Sequence, residues 1–524
     1  MSLPSINPTK TEAWKMLEKH FEEMKELQMQ DVFSEDLNRA ERFKIEWQSF
    51  YVDYSKNRIT EKTISLLSKL AKEVKLKEAI TQQFSGEKIN ETENRAVLHT
   101  ALRDFDNMKP EVESTLQKMK LFSEKIISGS HKGFTGKAIT DVVNIGIGGS
   151  HLGPEMVTEA LQFYKNHLKI QFIANIDGDD VAEKLKKLNP ETTLFIIVSK
   201  SFTTQETIAN ACFVKNWFFK NATEEDIQKH FVAVSANEHG ANEFGVSKNN
   251  IFPMQNWVGG RFSLWSSVGL SICCAVGFKN FEELLKGAFE MDNHFKNEDF
   301  EKNMPVVLAL LSIWYNNFFK AESEAVVAYS QYLNKLVPYL QQAVMESNGK
   351  SIDRNGKKIN YQTGTIVWGN VGSNSQHAYF QLLHQGTKLI PTDFIGFSES
   401  LHGNIKNHNI LMANFFAQTE ALWEGTHNKK IENSFKNFEG NKPSNSILIK
   451  KLNPQTLGSL IALYEHKLFV QGIIWNIFSY DQWGVELGKT VAKENLNAIE
   501  NDDISNLKND STKKLIKQFS FFQK

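Results

Sequence analysis

The chain has three cysteines in 524 residues, Cys212, Cys273 and Cys274, and the last two are neighbours inside an apolar run. This excludes a disulfide framework and any cysteine-based metal spacing, and it suits a reducing cytoplasm. Charge of one sign is also missing. With 60 basic against 61 acidic side chains, neither nucleic acid nor an anionic membrane is the expected partner, since both require a basic footprint. No apolar run is long enough for a bilayer: Val268 to Phe278, the longest, is broken by Gly and Ser and falls short of the roughly 20 residues needed. Met1-Ser-Leu-Pro-Ser-Ile has no charged segment leading into an apolar one, so no secretory signal is expected. Neither an H-x-x-x-H pair nor a clustered carboxylate set suggests a metal. Walker glycines and a G-x-G-x-x-G spacing with a downstream acid are likewise missing, which leaves ATP and NAD poorly supported.

What the chain does have is two apolar strands that run into polar loops. Asp141-Val-Val-Asn-Ile-Gly-Ile-Gly-Gly-Ser150 passes from a buried strand into glycines and a helical run beginning near Glu155. Leu194-Phe-Ile-Ile-Val-Ser-Lys-Ser-Phe-Thr-Thr-Gln-Glu-Thr207 ends in hydroxyl residues around Lys200, and Thr203 with Glu206 has the spacing of a capping box. Backbone N–H groups, hydroxyls and helix N-termini facing one spot make a pocket for a small phosphate. Either loop alone is also the ordinary strand-to-helix connection of an α/β domain.

From about 137 to 285, the strands Val142–Ile147, Ile170–Ile176, Leu194–Val198 and Phe231–Val234 alternate with helical segments, which predicts a parallel sheet with crossover helices. Residues from about 9 to 128 read as mostly helical with little strand signal. A second α/β portion follows, in which Thr365-Ile-Val-Trp-Gly-Asn-Val-Gly-Ser-Asn-Ser375 faintly echoes the first loop. The expected division is a helical segment 1–128, α/β domains 129–290 and 291–494, and a polar tail 495–524.

Four further segments offer chemistry, each with a plainer alternative. Arg261 follows Gly259-Gly260, so it is either a fixed guanidinium at a close backbone approach or a salt-bridged surface turn. The stretch Gln331 to Glu346 reads as a helix ending at Asn348-Gly349 with a left-handed exit, which leaves Glu346 in the last turn, where the dipole disfavours a negative charge. His377 is expected in the first turn of a helix after the third loop, beside positive dipole, and is otherwise a structural histidine. Lys489 lies in the glycine-spaced run Asp481-Gln-Trp-Gly-Val-Glu-Leu-Gly-Lys489 and by itself reads as a surface lysine.

Taken together, Gly-Ile-Gly-Gly-Ser at 146–150, Ser-Lys-Ser-Phe-Thr-Thr-Gln-Glu-Thr at 199–207, Val-Gly-Gly-Arg-Phe-Ser at 258–263, Met-Glu-Ser-Asn-Gly-Lys at 345–350 and the run ending at Lys489 resemble the glucose-6-phosphate isomerase family. Glu93-Asn-Arg-Ala-Val-Leu-His-Thr-Ala-Leu-Arg103 extends the resemblance into the helical segment. It implies an α/β fold with two sugar-isomerase-type αβα sandwich domains of mainly parallel sheet, in a homodimer whose active site is shared between subunits. It also implies interconversion of glucose 6-phosphate and fructose 6-phosphate, in the cytoplasm, without metal or organic cofactor.

Carried over by position, Ser199, Lys200, Ser201 and Thr204 hold the phosphate, and Gly149, Ser150, Gln342 and Gln482 contact the sugar or its phosphate. His377 and Lys489 handle ring opening, Glu346 shuttles the proton between C2 and C1, and Arg261 steadies the enediolate. Ser201 stands where the family has threonine, His151 where aspartate is common, Ser375 in place of a glycine and Asn370 in place of a frequent glutamate. His151 could add a donor at the pocket rim, and a side chain at 375 could tighten the loop that aims His377. A non-catalytic sugar-phosphate sensor and an isomerase of broader phosphosugar specificity are the alternatives.

Overall fold

The computed structural model describes residues 2–426 and 433–523. Near the N-terminus, β1 (Lys44–Trp47) and β2 (Phe50–Asp53) form an antiparallel hairpin within otherwise helical chain. The expectation of little strand there missed it. Four residues are too short a stretch for the alternation of Lys44-Ile-Glu-Trp47 to stand out from the helical pattern around it, and β2 is stabilised by pairing with a distant strand.

The first sheet holds β3 (Asp141–Ile145), β4 (Lys169–Ile173), β5 (Thr193–Val198), β6 (Phe231–Ser235) and β7 (Ile251–Pro253), all parallel, in the order β4-β3-β5-β6-β7. Every residue of β3, β5 and β6 is buried, as expected for parallel strands covered on both faces. Each such Ile or Phe contributes roughly 1.5–3 kcal/mol relative to an exposed position. The second sheet contains β8 (Ser323–Ala328), β9 (Ile366–Val371), β10 (Thr392–Phe397) and β11 (Ser444–Ile449), parallel in the order β9-β8-β10-β11, and β2 then β1 complete its edge. Both sheets therefore place their second strand outside their first and their third beside it. That winding matches β3 with β8 and β4 with β9, so the echo between loop 146–150, after β3, and the stretch 369–375, after β9, does not join equivalent loops.

Within β9, Gly369 has φ +137°, and a Cβ there would lie 2.0 Å from the Val326 carbonyl oxygen. The strand thus runs on to Val371, so Gly369 and Asn370 belong to it rather than to the loop. The helix Pro454–Ile474 is buried at every position except Gln455. Its Gly458 lets it approach the helix Phe278–Asn297, whose Gly287 meets Gln455, so closely that a Cβ at either glycine would overlap backbone.

Met1–Ser479 form one compact unit and Tyr480–Lys524 a second. The second contains the helices Glu486–Glu500 and Asp510–Gln523 and its own small cluster of Ala498, Leu507 and Ile516. Cys273 and Cys274 are buried and Cys212 is exposed, all as free thiols. Among the described residues no helix is long and apolar enough to cross a membrane.

Candidate active site

β3 and β5 are neighbours whose crossovers leave in opposite directions, which opens a crevice beyond their carboxyl ends. The two loops singled out in the sequence follow these two strands, and both line one cleft of about 520 Å³. Gly149, Ser150, Ser199, Lys200, Ser201 and Thr204 are all on its walls. The hydroxyl loop is pinned at several points: Ser199 N–H donates to the Val234 carbonyl at 3.0 Å, and Asn237 Nδ2 donates to the Ser201 carbonyl at 3.0 Å. Phe202 is held left-handed at φ +52° with its ring buried, a conformation a non-glycine residue keeps only when its surroundings impose it.

The expected capping box does not form here. The helix Gln205–Phe218 starts after Thr204, one residue later than the pattern suggested, because the Thr203 hydroxyl turns back to Ser201 Oγ at 2.8 Å. Thr204 Oγ1 instead accepts from Ser199 Oγ at 3.2 Å, which keeps both hydroxyls at the cleft. Lys200 Nζ donates to the carbonyls of Asn256 and Val258, each at 2.9 Å. Burial pushes its ammonium down to about 8, with neighbouring Arg95 adding to the effect and Glu93 opposing it.

A second group of residues assembles around Arg261, on the 3₁₀ turn Gly260–Trp265. Its side chain is 2% exposed. Nε donates to Ser347 Oγ at 2.8 Å, Nη2 donates to the Ser479 carbonyl at 2.6 Å, and Nη1 lies 3.3 Å from Glu346 Oε2. Gln342 Nε2 donates to the same Glu346 oxygen at 3.2 Å. Gln342 and Glu346 sit on a π turn, Gln341–Glu346, a wound segment common at functional sites because it re-aims side chains relative to an α-helix. The predicted left-handed exit is absent: helical residues continue through Ser347 and Asn348, Gly349 does not adopt positive φ, and Lys350 Nζ satisfies the carbonyls of Glu346 and Ser347 at 3.2 and 2.7 Å. Glu346 keeps 23% of its side chain exposed, so a ligand can reach it.

The glycine turn 148–150 touches both groups. A Cβ on Gly149 would lie 1.9 Å from the Gly260 carbonyl oxygen, and one on Gly148 would lie 3.1 Å from Gln342 Nε2. Only glycine permits this packing, and it sets the cleft beside the Arg261, Glu346 and Gln342 group.

A family model described as phosphoglucose isomerase matches residues 53–516. The chain belongs to the phosphoglucose isomerase family. It is 60% identical over 540 residues to a glucose-6-phosphate isomerase of Christiangramia forsetii, a match covering 98% of this chain and 99% of that one. A crystal structure of a glucose-6-phosphate isomerase from Chlamydia trachomatis shares 31% identity at TM-score 0.88, across 99% of this chain and all of the other. A hypothetical protein from Thermus thermophilus has the same fold at 24% identity and TM-score 0.67, across 85% of this chain and 99% of that one.

In this phosphoglucose isomerase family chain His377 does not line the cleft of about 520 Å³. His377 is exposed and follows the five-residue helix Gly372–Gln376 as its C-cap, so it sits at the negative end of that helix and the expected placement in a first turn does not hold. No hydrogen bond or ion pair among the described residues joins it to Arg261 or Glu346. Buried Ser375 donates to the Val371 carbonyl at 2.8 Å and accepts from Tyr379 Oη at 2.8 Å, which ties the backbone on both sides of His377. His151 turns away toward Glu155, 3.3 Å distant, and Lys335 approaches the same carboxylate at 3.2 Å. In the second unit, Gln482 precedes the turn Trp483–Val485, and exposed Lys489 donates to Glu486 Oε1 at 2.7 Å. Sequence reasoning missed Ser347, which orients Arg261, and Arg95, which lines the cleft. Both stand inside the quoted motifs, but nothing local gives them a role.

Proposed function

We infer that this chain interconverts glucose 6-phosphate and fructose 6-phosphate, with the phosphate in the cleft of Ser199, Lys200, Ser201 and Thr204 and the carbon chain toward Glu346. The observation that carries this is the Arg261 and Glu346 ion pair, one glycine turn from an anion-binding loop. Gly149, Ser150, Gln342 and Gln482 contact the sugar or its phosphate. His377 and Lys489 exchange protons with the ring oxygen and O1 and open the ring. The Glu346 carboxylate then removes the C2 proton and returns it to C1. As the enediolate oxygens gather charge, the Arg261 guanidinium, which does not titrate near neutral pH, stabilises them. None of these steps calls for a metal or an organic cofactor.

The working form is a homodimer in which His377 serves the neighbouring subunit's site. What supports this is an imidazole exposed on the single chain yet seated by two hydrogen bonds of buried Ser375. The reducing cytoplasm is the compartment that fits three free thiols.

Purified protein is expected to convert fructose 6-phosphate in a coupled assay with chelator present; binding without turnover would favour a sensor. Glu346→Gln should lower kcat by about 10²–10⁴-fold and abolish exchange of the C2 proton with deuterated solvent while ligand affinity changes little. Persistent exchange would remove Glu346 from the base role. Mixing Glu346→Gln with His377→Ala subunits should recover activity, because one site of each mixed dimer keeps both groups.

A further inference from the structure

Arg95 stands on the wall of the phosphate cleft with 35% of its side chain exposed. The backbone beneath it is a tight turn: Asn90 and Arg95 exchange N–H to carbonyl bonds at 3.1 and 3.0 Å, and Asn94 is left-handed at φ +53°. Leu98 N–H donates to the Trp257 carbonyl at 3.1 Å, which fastens this segment to the chain that leads into Arg261. Glu93 pairs with the Arg95 guanidinium and is itself held by Asn90 Nδ2 at 2.6 Å. Burial pushes the Glu93 carboxyl up, but the hydrogen bonds from Arg95 and Asn90 outweigh it and keep the group below the ordinary carboxylate range.

Lys200, the lysine lining the same cleft, has already committed two of its three ammonium N–H groups to the carbonyls of Asn256 and Val258. One donor remains for a ligand. A phosphate monoester carries close to two negative charges at neutral pH and three acceptor oxygens. A guanidinium has five donors in a planar fork matched to phosphate, and a single carboxylate partner leaves part of that fork available.

We propose that Arg95 is a phosphate-binding residue, supplying the second positive charge for the dianionic phosphate of the substrate, and that Glu93 is the counter-ion that orients its guanidinium. This rests on the sugar-phosphate reading of the cleft. Because Arg95 also disfavours the protonated form of Lys200 while Glu93 favours it, the two residues set the pH range over which the subsite holds its ligand, in opposite senses.

The test is steady-state kinetics with fructose 6-phosphate and competitive inhibition by inorganic phosphate, for wild type, Arg95→Ala, Arg95→Lys and Glu93→Gln, from pH 6 to 10, with the thermal midpoint of each variant as a check on folding. Arg95→Ala should raise both KM and the phosphate inhibition constant about 10- to 100-fold, with a smaller fall in kcat, and Arg95→Lys should recover part of the loss. The alkaline rise in KM should move to higher pH in Arg95→Ala and to lower pH in Glu93→Gln, shifts that a merely structural role would not produce. If wild type is inhibited by phosphate and Arg95→Ala is inhibited equally at an unchanged thermal midpoint, the assignment of Arg95 is wrong. If wild-type turnover is itself indifferent to phosphate, the reading of the cleft fails first. Should Arg95→Ala not fold, the phosphate inhibition constant of Arg95→Lys and the direction of the pH shift in Glu93→Gln carry the same decision.

Discussion

Two charged regions of this molecule solve opposite problems. At the cleft, Lys200 and Arg95 face an opening of about 520 Å³ and keep donors uncommitted. Deeper in the fold, Arg103 has no exposure and engages all three guanidinium nitrogens: Nε and Nη2 donate to both oxygens of Asp292 at 2.8 and 2.7 Å, and Nη1 donates to Glu465 at 2.9 Å. His466 Nε2 lies 2.6 Å from Asp292, and Trp265 Nε1 donates to Glu465 at 2.8 Å. Although burial opposes ionisation of Asp292, Arg103 holds its carboxyl below the ordinary range, whereas burial pushes Glu465 up. Perturbed ionisation alone would have marked the deep cluster as a site. The difference shows that charges lining an open cleft can keep donors for a ligand, while Arg103, which lines no such opening, has its charge matched by the carboxylates packed around it. Trp265 gives the deep cluster its purpose, since it ends the turn that carries Arg261.

The comparison breaks first at Arg103. Arg103→Met strands two buried carboxylates and should cost about 3–5 kcal/mol of unfolding free energy in urea, while the kcat/KM of the molecules still folded stays near wild type. Undiminished stability with lost turnover would instead make Arg103 part of the chemistry.

A somewhat smaller effect is expected from pH. His294, on the same helix as Asp292, accepts the Met304 N–H at Nε2 at 3.0 Å and so must be neutral, and burial pushes its pKa down to about 4. Its folded value lies below its unfolded value of about 6.5, so the stability it provides is complete above pH 6.5 and is lost as pH falls toward 4. This loss reaches up to about 3 kcal/mol, and His294→Gln should flatten that part of the stability profile.

At the cleft the sign is different and the readout is affinity. Lys200 carries its charge below about pH 8, so KM for fructose 6-phosphate should rise above that point, about tenfold by pH 9 if the charge is required, and Lys200→Met should remove the rise. The smallest change is Ser201→Thr, which restores the family's methyl on a residue that is exposed at the cleft rim. It should alter binding by no more than about 0.5 kcal/mol, roughly a twofold shift in KM.

Much of the sheet framework was legible because β5 and β6 are short, largely apolar runs rich in β-branched and aromatic residues, and β3 is apolar apart from Asp141 and Asn144 and ends at glycines. The hairpin β1–β2 was not, since its stability comes from pairing with β11, hundreds of residues away. Glu346 does stand in the last turn of its helical segment, but the left-handed exit expected after it failed for a related reason: a π turn and a lysine cap leave no local sequence mark. His377 was put in a helix's first turn, whereas the helix before it stops at Gln376.

By itself the sequence determined where strands form, where glycine and hydroxyl residues break them, and hence that two loops would offer N–H and O–H donors, because these are properties of short stretches of chain. Only the tertiary structure decided that Arg261 meets Glu346 across 85 residues, and that Arg103 is consumed in the core while Arg95 faces the cleft. Arg95 and Arg103 occupy one motif, eight residues apart. What separates them is burial and long-range pairing, and neither is a local quantity.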